Sequence, residues 1–148
     1  MPRSPDEIAW DEGILADFHE HAGRITRGRL AGANILLMTS TGAKSGEPRI
    51  SPLGYTRDGD RYVVVGSNSG LPHQPAWLAN IRANPVVGVE VGAATFKARA
   101  TITVGAERAR LWAAHVAQLP HFAVYDNMTE RELQVVTLEP LAEGASGL

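Results

Sequence analysis

The chain has 148 residues, of which 44% are hydrophobic, a formal net charge of −2 and no cysteine. That length fits one domain with a sizeable core, and the missing cysteines exclude disulfides, thiolate catalysis and Cys-ligated metal. The small net charge argues against a general nucleic-acid binder. The apolar runs, only a few residues long, fall far short of a span, so no stable membrane insertion is expected.

Ser4-Pro5-Asp6-Glu7 reads as a helix start, with proline at the first helical position and acids in the first turn. The helix would run to about Glu20, with Ile8, Asp11 and Leu15 near one stripe with Phe18, a weakly amphipathic face. Acidic residues stand here where a signal peptide would carry basic and then apolar ones, so a soluble, cytoplasmic protein is expected. His19 and His21 are two apart, on different helical faces, and no metal site is expected there. Residues 1–21 hold six carboxylates and one arginine, whereas residues 22–57 hold Arg24, Arg27, Arg29, Lys44, Arg49 and Arg57 against Glu47 alone. Such a cationic region suits a small polyanion better than a long duplex. Solvated charges scattered over a surface are the competing reading.

Strand-like runs from Ile35 to Thr41 and from Ile50 to Tyr55 flank Gly42-Ala43-Lys44-Ser45-Gly46-Glu47-Pro48-Arg49, predicting a hairpin. Gly42 and Gly46 tolerate positive φ and close backbone approach, while Lys44, Ser45 and Arg49 add two cations and a hydroxyl beside free N–H groups. The loop therefore suits an anion, above all a phosphate. It is not a nucleotide triphosphate loop, because Ala43 and Met38 stand where that motif needs glycine, and Pro48 forbids the following helix. On residue types alone an ordinary surface hairpin with solvated Lys and Arg is the commoner reading.

Asp58-Gly59 between Leu53–Thr56 and Arg61–Val65 predicts a second hairpin. The following Gly66-Ser67-Asn68-Ser69-Gly70 is too small and polar to pack a core; it caps a turn or lies against a ligand. Pro75 and Asn84-Pro85 bracket a helix whose Trp77, Leu78 and Ile81 share a core-like face. Val87, Val89 and Val91, then Phe96, Ala98, Ala100 and Ile102, alternate with polar or small residues, predicting an antiparallel hairpin with Lys97 and Arg99 toward solvent. A helix from Gly105 to about Ala117 places Leu111, Trp112 and Val116 in the core, with His115 at the surface or satisfied inside. Leu119–Met128 predicts a short helix bearing Phe122 and Tyr125 side by side. Leu133–Leu138 is a last strand, followed by a small-residue tail.

Five to six short antiparallel strands with interspersed helices give an α+β domain on a β-barrel, since closure removes exposed edges. The expected layout is one domain, with an N-terminal helix over 1–21, the barrel over 33–140 and a tail over 141–148.

The order and spacing of several blocks resemble the deazaflavin-dependent nitroreductase family, split-β-barrel oxidoreductases that use coenzyme F420. The blocks are Leu30-Ala31-Gly32-Ala33 before Ile35–Thr39, Thr41–Arg49, Asp58–Val65, Ser67-Asn68-Ser69-Gly70, Pro75-Ala76-Trp77-Leu78 with Arg82-Ala83-Asn84-Pro85, and Val136–Pro140. The resemblance implies a split barrel of antiparallel sheet with flanking helices. It also implies that Gly42, Lys44, Ser45, Gly46 and Arg49 hold the phosphate and glutamyl end of the coenzyme. Pro52, Ser67, Asn68 and Trp77 would contact its remainder, with Ser67 and Asn68 lining the ring. Ser67 and Tyr125 would be the catalytic donors in hydride transfer to an electron-poor acceptor, an activated alkene, quinone or nitro compound. The chain departs from the family at Ala43, where the hairpin usually carries arginine. It departs again at Phe122, where a nitroreductase of the family can carry tyrosine, which points away from nitroimidazoles. FMN in the same barrel, or a non-catalytic carrier of a lipid or anionic cofactor, are the alternatives; the protein is expected as a monomer or homodimer.

Overall fold

The structure, a computed structural model, describes residues 18–19, 34–66, 74–127 and 132–141, and for His121 and Tyr125 the backbone alone. Of the expected N-terminal helix, Phe18 and His19 are helical and the remainder, like the tail beyond Leu141, lies outside the described residues. The elements in chain order are β1 (Ile35–Thr41), β2 (Pro48–Gly54), β3 (Thr56–Asp58), β4 (Arg61–Val65), α1 (Ala76–Ala83), β5 (Val86–Val91), β6 (Ala94–Ile102), α2 (Gly105–Gln118), α3 (His121–Asn127) and β7 (Val135–Pro140).

The seven strands form one antiparallel sheet in the order β2-β1-β5-β6-β7-β4-β3. The sequence predicts five to six strands, and the difference arises at Tyr55. Upstream of it β2 pairs with β1, downstream β3 pairs with β4, and the Tyr55 N–H donates to the Asn34 carbonyl at 3.1 Å, in register with the β1–β2 pair just past the end of both strands. The two outer strands of the sheet are thus joined through one residue. Because consecutive Cα atoms are about 3.8 Å apart, those edges are held together and the sheet curls into a split half-barrel.

Period-two alternation then sorts the side chains. Leu36, Met38, Tyr62, Val64, Val87, Val89, Ala98, Ala100, Val136 and Leu138 face the barrel interior and pack with Trp77, Leu78 and Ile81 of α1. The opposite face carries a second core, Val63, Val65 and Val135, covered by Leu111, Leu133 and Phe122. Trp112 and Val116 are half-buried at its margin rather than central, while Lys97 and Arg99 are exposed as predicted.

His115, at the surface or satisfied on the sequence reading, is fully buried. Its Nδ1 lies 2.9 Å from Thr56 Oγ1 and its ring meets Phe122 edge-on at 4.5 Å. α3 starts two residues later than predicted, because Leu119 and Pro120 form the link whose carbonyls accept from Phe122 and Ala123. β7 starts at Val135 rather than Leu133, because Leu133 and Gln134 offer their carbonyls to Arg108 and Gly66.

Candidate functional site

The β1–β2 connection runs from Gly42 to Glu47. Gly46 adopts φ 71°, a left-handed conformation that favours glycine. Gly42 does not; its need is spatial, since a Cβ there would fall 2.5 Å from Ser45 Oγ and 3.2 Å from the Glu47 carbonyl. Four of the six loop N–H groups are used internally. Gly42 donates to Glu47 O at 2.8 Å, Gly46 to Gly42 O at 2.9 Å, Ala43 to Asn80 Oδ1 at 2.9 Å and Glu47 to Ser45 Oγ at 3.1 Å. Lys44 and Ser45 retain N–H groups with no partner among the described residues. Ser45 Oγ accepts within the loop, so its hydroxyl proton is still available to donate.

The Lys44 and Arg49 side chains are exposed and form no ion pair among the described residues. Arg49 lies opposite Ser40 in the β1–β2 ladder, and directly opposed residues project from the same face. Since Met38, two residues before Ser40, faces the barrel interior, Arg49 stands at the mouth of that face. Two cations, two unbonded N–H groups and a hydroxyl within six residues have the donor set an anion needs. The phosphate and carboxylates of a coenzyme tail fit it.

α1 links this loop to the end of β4. Trp77, Leu78 and Ile81 are buried, and each such side chain stabilises docking by about 1.5–3 kcal/mol, more than the ~1 kcal/mol of a neutral hydrogen bond. Apolar burial therefore decides that α1 docks, and polar contacts decide what it holds. On one side Asn80 reaches Ala43 and Ser40. On the other, Gly66 packs so tightly that a Cβ would sit 2.7 Å from Leu78 Cδ1 and 3.5 Å from Pro75 Cγ. The loop expected to be too polar to pack thus has a buried first residue, fixed also by its N–H to Gln134 O at 2.9 Å.

The sequence-predicted site is only partly drawn together. Gly42, Lys44, Ser45, Gly46 and Arg49 form one constellation. Pro52 pairs with Leu37 and projects from the opposite face of β2 to Arg49. Trp77, 6% exposed, packs in the barrel interior. Ser67 and Asn68 lie outside the described residues, as does the Tyr125 side chain, while Phe122 is buried against His115. Of the cationic region, Arg24, Arg27 and Arg29 are outside the described residues. Arg57 is committed elsewhere, 4.2 Å over the Tyr62 ring. Asn80 and Gly66 were missed by the sequence reading. A polar residue three positions after Trp77, on an otherwise buried helix face, was the available signal for the first.

Among the described residues no group of His, Cys, Asp or Glu suits a metal; His19 instead contacts Glu90 at 3.1 Å. A shallow depression beside that pair, lined by the Gly92–Thr95 turn, lies toward the start of β1 and away from the cationic loop.

Comparison with known proteins identifies the family. The family model for F420H(2)-dependent quinone reductases matches residues 15–140. An F420H(2)-dependent quinone reductase of Mycobacterium tuberculosis is 36% identical over 133 residues, covering 84% of this chain and 89% of that protein. A solved F420-H2 dependent reductase superposes with a TM-score of 0.66 at 36% identity, over 72% of this chain and 94% of that one. A second structure, described as a domain-swapped dimer, gives 0.68 at 32% identity, over 92% and 100%. These likenesses establish that the chain belongs to the F420H(2)-dependent quinone reductase family of oxidoreductases.

Proposed function

We propose that the protein reduces a quinone at the expense of F420H2, with the Gly42–Glu47 loop and Arg49 holding the phosphate and glutamyl tail of the coenzyme. The observation that carries this reading is the coincidence of two unbonded N–H groups, on Lys44 and Ser45, with two cations that have no acid partner among the described residues. Anions bind such sites through charge-assisted bonds, each stronger than its neutral counterpart.

The reduced deazaflavin, when bound, supplies the hydride from C5 of its ring. The chain's part is to hold ring and acceptor together and to donate to the negative charge that develops on the acceptor. Ser67 and Asn68 would line the ring, with Trp77 of the barrel interior as a further contact; Pro52, which projects from the opposite face of β2 to Arg49, is left out of the site. Ser67 follows Gly66 directly, so the packing of Gly66 on Leu78 and Pro75 sets where that loop leaves the sheet. Ser67 and the Tyr125 hydroxyl are the donors assigned to the acceptor. Among electron-poor acceptors the family description favours quinones, with activated alkenes and nitro compounds as the wider class. A water-soluble hydride donor supports the cytoplasm as the compartment.

The test follows the oxidation of F420H2 by absorbance, with and without a naphthoquinone, alongside competitive binding of F420 and FMN. Quinone-dependent oxidation and tighter binding of F420 are expected. Tighter binding of FMN, or retention of F420 with no oxidation for any acceptor, would contradict the reading.

A further inference from the structure

We infer that Asn80 is the positioning residue of the anion cradle. It takes the Ala43 N–H into the protein, so that the loop presents the next two N–H groups, Lys44 and Ser45, outward to the coenzyme tail. This rests on the assignment of the β1–β2 loop to that tail.

Asn80 sits in the middle of α1, where asparagine is a poor helix former, and it is 7% exposed on a helix whose buried neighbours are Trp77, Leu78 and Ile81. A buried amide is tolerated only when its polar atoms are bonded. Oδ1 accepts from Ala43 N at 2.9 Å and Nδ2 donates to Ser40 Oγ at 3.1 Å. A backbone N–H donates only, which fixes the orientation of the amide. Ser40 is the ladder partner of Arg49, so a single side chain touches both halves of the cradle: the loop, and the strand position facing its second cation.

The consequence is pre-organisation. With Ala43 held by α1, and Gly42, Gly46 and Glu47 bonded within the loop, the Lys44 and Ser45 N–H groups are the two left over for a ligand. Without the Asn80 carbonyl, the Ala43 N–H turns to water and the loop must be ordered by its ligand instead. α1 itself stays docked through its three apolar anchors, so the loss is one of placement rather than of folding.

The experiment titrates wild type, Asn80→Ala and Ser40→Ala with F420 and with the deazaflavin chromophore lacking the phosphate and glutamyl tail. Dissociation constants are read by fluorescence. For Asn80→Ala the Kd of F420 should rise about tenfold, the ordering energy of one hydrogen bond, while that of the tail-less chromophore stays within about twofold. Ser40→Ala, which keeps the Ala43 bond but frees the Asn80 amide, should show the same tail-specific loss at roughly 2- to 3-fold. Equal loss for both ligands, or none for either, overturns the assignment. Should Asn80→Ala not fold, Ser40→Ala decides by the same criterion. If wild type itself binds both ligands equally, the cradle falls and Asn80 falls with it; a wild-type preference that persists undiminished in both variants removes Asn80 alone.

Discussion

Lys44 and Arg49 differ from most of the described arginines in having no side-chain bond among the described residues. Arg57 covers Tyr62, Arg61 and Arg110 meet Asp58, and Arg108 meets Glu132 and the Leu133 carbonyl. Exposed cations with no internal bond are removable without structural loss, so Lys44→Ala and Arg49→Ala should leave the melting temperature nearly unchanged. Each should weaken F420 binding by about 1–3 kcal/mol, roughly 5- to 150-fold in Kd by titration. Tyr125→Phe should behave oppositely. Turnover with a quinone should slow on the order of a hundredfold while the Kd of F420 holds; unchanged turnover would remove Tyr125 from the mechanism. The loop cations were legible in the sequence because glycines bracket them. Asn80 was not, because an apolar stripe accounts for the helix without it, and its partners are 37 and 40 residues away in sequence.

At the scale of elements, the β3–β4 hairpin is tied to α2 by charge. Asp58 bonds Arg110 at 2.9 Å and also Arg61, which in turn reaches Glu107 at 3.1 Å. Hydrogen bonds from Arg110, and then Arg61, hold the Asp58 carboxyl down at about 2. A depressed carboxylate contributes stability that is present above its unfolded value, near 3.8, and lost as pH falls toward 2. Being at the surface and screened by solvent, these contacts contribute only modestly. Urea midpoints should therefore drop between pH 4 and 2 in wild type, and Asp58→Asn should remove that part of the drop.

The Gly66 junction is tighter. Leu78 is fully buried, so giving way to an added methyl group would disturb its own packing, and Gly66→Ala should cost about 1–3 kcal/mol, or roughly 3–10 °C in thermal melts. Strand periodicity and the Asp58-Gly59 turn were readable because they are local. The close approach of Gly66 to α1 was not, because it is set by where that helix docks.

For the whole molecule, the decisive pairings are distant ones. β4 joins β7 with Tyr62 opposite Leu138, and Tyr55 carries the chain from one edge of the sheet to the other. Alternation alone announces half-buried strands without their order, so the split barrel was foreseeable only through family resemblance. What the curl contributes to function is proximity: one eight-residue helix, α1, contacts both the cationic loop and the residue preceding Ser67. Among the described residues no helix is long and apolar enough to cross a membrane. A crystal structure with F420 bound tests the central claim most directly. The account predicts phosphate oxygens within hydrogen-bond distance of the Lys44 and Ser45 N–H groups and ion-paired to Lys44 or Arg49; a tail lying away from the β1–β2 loop would contradict it.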